Sequence, residues 1–198
     1  MKSVADESIL REDQKELLLA IEKNLNLALG NDPEKYQNYY VATEGIITSL
    51  NLSNLKLSKI PDIIFSLKEL IVLELSQNNL TEFPEKIQNL DKLTILNLAN
   101  NRINYVPSWI NCLTLLKVLK LNNNQIYSLP KTIGSMTLLR KLYLQSNQLH
   151  LLPFEIIDLK LLEEIHLDFR TTMKKTIKGI LTQLETNGCL VKNDYNRR

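Results

Sequence analysis

Two histidines, two cysteines and a set of C-terminal lysines are the side chains in this sequence best suited to chemistry. His166 and Asp168 stand two residues apart, the spacing at which side chains share one side of an extended strand. An imidazole oriented by a carboxylate is the heart of a general base, but no serine or cysteine nucleophile falls beside this pair in register. It therefore reads as a surface polar pair. His150 occupies a different setting from His166, so a metal site with convergent ligands is not expected. The glycines (Gly30, Gly45, Gly134, Gly179, Gly188) are too scattered to cradle a phosphate, and neither GxxxxGKS/T nor GxGxxG occurs. The expectation is a chain that is not an enzyme and has no cofactor and no metal.

Cys112 and Cys189 are the only cysteines, one on an outer loop and one after a C-terminal helix, which predicts two free thiols. Lys174, Lys175 and Lys178, with Lys192, Arg197 and Arg198, read as a solvated helix face with a basic end, the alternative being a contact with phosphate or an anionic membrane. A net charge of +2 and the lack of interleaved aromatic rings give no reason to expect nucleic acid. Met1 to Leu10 is charged rather than apolar, and no apolar run approaches the ~20 residues of a membrane span. These features predict a cytoplasmic chain with no signal peptide and no membrane span. The sequons at Asn51 and Asn79 fall inside a repeated phrase that generates such triplets by chance.

That phrase is the dominant feature of the chain and must position everything else. Ile47, Leu70, Leu93, Leu116, Leu139 and Leu162 recur at intervals of 23 residues, each opening a copy of LxxLxLxxNxIxxLPxxIxxLxx. Unit positions 4 and 6, such as Leu96 and Leu98 or Leu119 and Leu121, alternate as a strand with its apolar side inward. Position 9 is Asn78, Asn101, Asn124 and Asn147, a short amide suited to satisfying turn backbone from inside, so that stacked units form an asparagine ladder. Position 15 is proline in five units, from Pro61 to Pro153, where a fixed φ and a missing N–H suit a bend out of the strand. Ile64, Ile87, Ile110, Ile133 and Ile156, then Leu67, Leu90, Leu113, Met136 and Leu159, are spaced to return along the outer side in a short helical or 3₁₀ turn.

No single unit buries its own apolar edge, so the ends need covers. Residues 1–46 form a helical N-terminal cap in this reading, 47–161 five full repeats, and 162–198 a partial sixth repeat with a closing helix and a mobile tail, all one folded domain. Leu17, Leu18, Ile21, Leu25 and Leu29 mark a first helix over 12–29. Asp32-Pro33-Glu34 reads as the start of a second, running to Thr43 with Tyr36, Tyr39 and Tyr40 on one face, and Gly45 as its stop. Met173, Ile177, Ile180, Leu181 and Leu184 line the closing helix, with the tail starting at Lys192.

The repeated phrase resembles the leucine-rich repeat family, and its unit length and LPxxI signature resemble the intracellular subgroup of plant Ras-group proteins, animal signalling scaffolds and bacterial repeat proteins. The resemblance implies an α/β fold, a right-handed solenoid arc with a parallel sheet on its concave side, and a role in binding proteins rather than in catalysis. It implies a monomer that binds a partner protein. The alternative is a regulatory or targeting subunit of a signalling enzyme, or a bacterial effector acting on a host protein.

Register then converts sequence into a surface map. Positions 3 and 5 face outward on the concave side, and the candidate partner-binding residues are Val72, Glu74, Ile95, Asn97, Val118, Lys120, Lys141, Tyr143, Glu164 and His166. Position 7 (Ser53, Ser76, Ala99, Asn122, Gln145, Asp168) and position 8 (Asn54, Gln77, Asn100, Asn123, Ser146, Phe169) form the border. Val72, Ile95 and Val118 make an aliphatic column that serves either as an apolar binding stripe with a charged rim or as strand propensity expressed at the surface. Trp109 is expected on the outer side, packing its ring over a neighbouring turn.

Overall fold

The structure, a computed structural model, describes residues 10–193. Each full repeat is a short strand, three residues long in the second to fifth repeats, then a turn, an extended return and a 3₁₀ segment, and the units stack into a solenoid. Strands β1 (Tyr39–Thr43), β2 (Ile46–Asn51), β3 (Val72–Glu74), β4 (Ile95–Asn97), β5 (Val118–Lys120), β6 (Lys141–Tyr143), β7 (Glu164–Leu167) and β8 (Leu190–Asn193) form one sheet in chain order. β2 to β8 are parallel, and β1 is antiparallel to β2. The 3₁₀ segments Asp62–Ser66, Glu85–Asn89, Ser108–Cys112, Lys131–Ser135 and Phe154–Asp158 line the opposite side, each directly after its proline. Strands pack ~4.8 Å apart. The bulkier return segments need more room, so the sheet lies on the inside of the curve.

The apolar skeleton is sealed. Leu50, Leu73, Leu96, Leu119 and Leu142 at position 4, and Leu52, Leu75, Leu98, Leu121 and Leu144 at position 6, are at most 1% exposed. Each such side chain contributes about 1.5–3 kcal/mol relative to exposure. Because every unit places its leucines on its neighbours, that stabilisation exists only in the stack.

The asparagine ladder forms as the spacing predicts. Asn124 Nδ2 donates to the carbonyls of Leu121 (3.0 Å) and of Leu98 one unit back (2.9 Å), while its Oδ1 accepts the N–H of Ile103 (2.9 Å). Asn101 does the same for Leu98, Leu75 and Leu80, and Asn147 for Leu144, Leu121 and Ile126. Asn78 begins the series, its Oδ1 accepting the N–H groups of both Leu55 and Leu57. At position 8, Asn54, Gln77, Asn100, Asn123 and Ser146 adopt left-handed backbone (φ 55–59°) in the tight turn out of the strand, and the N–H groups of the first four donate to the position-7 carbonyls of the next unit.

Both caps differ from expectation. Helix α1 (Glu12–Leu25) stops four residues early because Asn26 is left-handed and Leu27 N–H donates back to the Glu22 carbonyl. Leu18, Ile21 and Leu29 are buried against the first repeat, and buried Gln14 accepts the Ile47 N–H at 3.1 Å. The second helix does not form. Asp32 Oδ1 accepts the Glu34 N–H, and one turn later the chain becomes β1, joined to β2 through Glu44 (φ 53°) and Gly45 (φ 77°). Tyrosine, valine and threonine prefer the pleated strand, and β2 would otherwise present a bare edge. The tyrosines do not share a face either, since Tyr40 is buried and Tyr36 is 40% exposed.

At the other end, the closing helix is two pieces, α2 (Phe169–Thr172) and α3 (Lys175–Thr186). Ile177, Leu181 and Leu184 are buried as expected, but Met173 is 54% exposed and takes no part in the core. Gly188 (φ 89°) then turns the chain into β8, so Lys192 and Asn193 belong to the sheet rather than to a tail. Asp194 to Arg198, including Arg197 and Arg198 of the expected basic end, lie outside the described residues.

Candidate functional site

The outward side of the sheet is built by pairing alone. Register aligns Ser49, Val72, Ile95, Val118, Lys141 and Glu164 in one row, and Asn51, Glu74, Asn97, Lys120, Tyr143 and His166 in the next. All ten candidate residues therefore stand on adjacent register positions of β3 to β7. Caps extend both rows with residues that the repeat pattern did not reveal. Val41 (37% exposed) and Leu190 (53% exposed) end the first row, and Tyr39 and Lys192 end the second. A signal existed for β8, a short Leu-Val run after Gly188, but it followed a helix and read as a tail.

Val72, Ile95 and Val118 lie side by side on three strands, each half-buried by its neighbours, and form a continuous aliphatic stripe. Beside it, Asn97 is buried and committed: its Nδ2 donates to Glu74 Oε2 (2.5 Å) and its Oδ1 accepts the Ala99 N–H. Asn97 thus shapes the floor and orients Glu74 rather than offering a free amide. On β6 and β7 the Tyr143 and His166 rings stack with centroids 4.4 Å apart and planes 30° from parallel.

Glu164 is the electrostatic centre of this end. Its carboxylate lies 3.1 Å from His166 Nε2, 3.1 Å from Lys192 Nζ and 3.5 Å from Lys141 Nζ. The His166 hydrogen bond, then that from Lys192, pull its pKa down to about 2 against the opposing effect of desolvation. The imidazole partner in the face is therefore Glu164. Asp168 turns away to the ladder, accepting the backbone N–H groups of Ser146 (2.7 Å) and Asn147 (3.3 Å), and the expected His166–Asp168 surface pair does not exist. His150 sits apart, with Nδ1 3.3 Å from Lys174 Nζ. Lys174 also donates to the Leu149 carbonyl at 2.7 Å, so it docks the cap and is not part of a solvated basic face. No group of three or more metal-ligating side chains occurs among the described residues.

Elsewhere, Trp109 packs edge-on against Phe83 (5.6 Å, 80°), as its unit position predicts. Together with Tyr105, Phe65 and the Lys86–Asp62 ion pair it borders an open groove of about 670 Å³ on the flank. Both cysteines are free, Cys112 exposed and Cys189 buried. No described helix is long and apolar enough to cross a membrane.

Comparison with known proteins places the repeats. The leucine rich repeat family profile matches residues 47–103. A leucine-rich repeat protein of Leptospira interrogans is 32% identical with a TM-score of 0.57 over 74% of this chain, which spans only 35% of that protein's length. The ectodomain of the Arabidopsis thaliana receptor kinase SOBIR1 shares the fold, with 24% identity, a TM-score of 0.60, and coverage of 79% of this chain and 91% of its own. The ectodomain of the Arabidopsis receptor kinase GASSHO1/SCHENGEN3, in complex with Casparian strip integrity factor 2, is 29% identical over 63% of this chain and 16% of its own, with a TM-score of 0.52. No curated protein matches the chain in sequence.

Proposed function

We propose that this chain, a leucine-rich repeat protein, is a non-catalytic interaction module that binds a partner protein across the concave face of its sheet. The observation that carries this reading is the Val72–Ile95–Val118 stripe: three consecutive strands present aliphatic side chains at positions with no inward core to fill. Ion pairs such as Lys86–Asp62 and Lys92–Glu69 link neighbouring units on the outer side. An apolar centre with a polar rim of Glu74, Lys120, Lys141, Tyr143, Glu164 and His166 is the anatomy of a protein interface. A rigid stack suits the role, because little ordering entropy remains to oppose binding.

The partner is a protein rather than a nucleic acid, since the cations of the face are few and Lys141 and Lys192 already lie against Glu164. The chain acts as a monomer in the cytoplasm in this reading, supported by two thiols left unbridged and by caps closed with strands and helices instead of disulfides. The GASSHO1/SCHENGEN3 leucine-rich repeat ectodomain, found in complex with Casparian strip integrity factor 2, supports a binding role for such a solenoid.

The test is affinity capture with the wild type and a Val72→Glu, Val118→Glu, Tyr143→Ala variant whose fold is verified by circular dichroism. Loss of the captured partner by the variant alone is the expected result. Retention by both would sink the concave reading and move the site to the Trp109 groove or the caps.

A further inference from the structure

The two ends of the face differ in charge balance. From β5 to β8 the two outward rows carry Lys120, Lys141 and Lys192 against a single carboxylate, Glu164, which already receives His166, Lys192 and Lys141. Lys120 forms no ion pair among the described residues. Its row neighbours offer it no acceptor of opposite charge: Tyr143 faces His166, and both ends of the Asn97 amide are engaged. The neighbouring borders supply no free carboxylate to this end, since Glu163 pairs with Arg140 and Asp168 is tied to the Ser146 and Asn147 amides. The cationic end adjoins the aliphatic stripe directly, because Val118 and Lys120 point the same way from one strand.

We infer that the face recognises a partner segment in which one or more carboxylates stand next to aliphatic side chains, the aliphatic part lying on Val72, Ile95 and Val118 and a carboxylate reaching Lys120 and Lys141. This rests on the concave reading and deepens it by naming the partner's chemistry. The stripe spans two strand spacings, ~10 Å, so a short extended segment covers it and delivers its next side chain to Lys120. A carboxylate there supplies the missing partner of Lys120 and relieves Glu164 of Lys141. A basic segment would meet uncompensated lysines, which sets specificity as well as affinity.

The experiment pans a displayed library of random peptides on the whole protein at low and at physiological ionic strength, and then measures recovered peptides by fluorescence anisotropy. Peptides enriched in Asp or Glu beside aliphatic residues are expected, with binding that weakens as salt rises. Lys120→Gln, a change at a partly exposed position, should weaken them about five- to tenfold, and Val118→Glu should abolish binding. Peptides lost on Val118→Glu but indifferent to Lys120→Gln and free of acidic residues would overturn the inference while leaving the concave reading intact. Peptides indifferent to both variants, or no enrichment at all, would overturn both.

Discussion

Asp168 Oδ1 accepts the backbone N–H of Ser146 at 2.7 Å, so the side chain that follows β7 turns back to close the last asparagine-bearing turn, in the unit before it. Ser146 is left-handed (φ 58°), and Asp168 satisfies its amide and that of Asn147, whose counterparts Asn123 and Asn124 donate instead to the Gln145 and Ser146 carbonyls of the next unit. Removing the carboxylate strands two turn amides. Asp168→Ala should cost about 1–3 kcal/mol in urea denaturation, whereas His166→Ala should cost less. Equal effects would mean that the two residues act as the pair suggested by their spacing.

Inside the stack, Asn124→Ala should also destabilise by about 1–3 kcal/mol, because it strands the buried Ile103 N–H and removes one of the two amide donors that the Leu98 and Leu121 carbonyls each accept, leaving them Asn101 and Asn147 alone. A neutral result in chemical denaturation would count against the ladder as a source of stability.

Periodicity made the repeats legible because one physical constraint, burial against identical neighbours, acts on every unit. Leu96, Asn101, Pro107 and Ile110 have positions dictated by the same stacking as their equivalents. The caps obey no such repetition. Asp32-Pro33-Glu34 carries helix-start signals, yet they produce one turn, because the need to cover the edge of β2 prevails over local propensity for Tyr39 to Thr43. Asp168 departs from its expected partner for a related reason. Alternation put it beside His166, but the strand ends at Leu167 and the chain turns there. The face residues were legible from register, while the Glu164 hub was not, since Lys192 reaches it only through β8.

Neighbouring outer segments approach closely at one glycine. A Cβ added to Gly134 would lie 2.2 Å from the Glu155 backbone carbonyl oxygen, and backbone cannot swing aside as a side chain can. Gly134→Ala should cost about 1–3 kcal/mol and lower the thermal midpoint. Gly179 lies within α3 with nothing near its missing Cβ, so Gly179→Ala should instead stabilise by about 0.5–1 kcal/mol. The two glycines moving in the same direction would contradict this packing.

The thiols should separate by reactivity. Cys112 is exposed at the end of a 3₁₀ segment, whereas Cys189 is buried, and that burial pushes its thiol up to about 11. At mildly alkaline pH a thiol reagent should label Cys112 promptly and Cys189 only on unfolding, with the sites assigned by peptide mass. Rapid labelling of both in the native protein would show that β8 does not hold Cys189 in the core.

Acid should probe the Glu164 hub. Its carboxyl is pulled from 4.5 to about 2, first by His166 and then by Lys192, so the folded state binds its proton more weakly than the unfolded chain does. A depressed folded-state pKa means that this stabilisation is complete above about pH 4.5 and drains away as pH falls toward 2. The Glu164 side chain is 21% exposed and screened by solvent, which holds the contribution to about 1 kcal/mol. In urea titrations Glu164→Gln should be less stable than the wild type by that amount at neutral pH. Near the folded-state pKa the two proteins should converge, because both then carry a neutral side chain among the same lysines. A gap that stays constant across the acid range would show that the glutamate acts through packing and not through its charge.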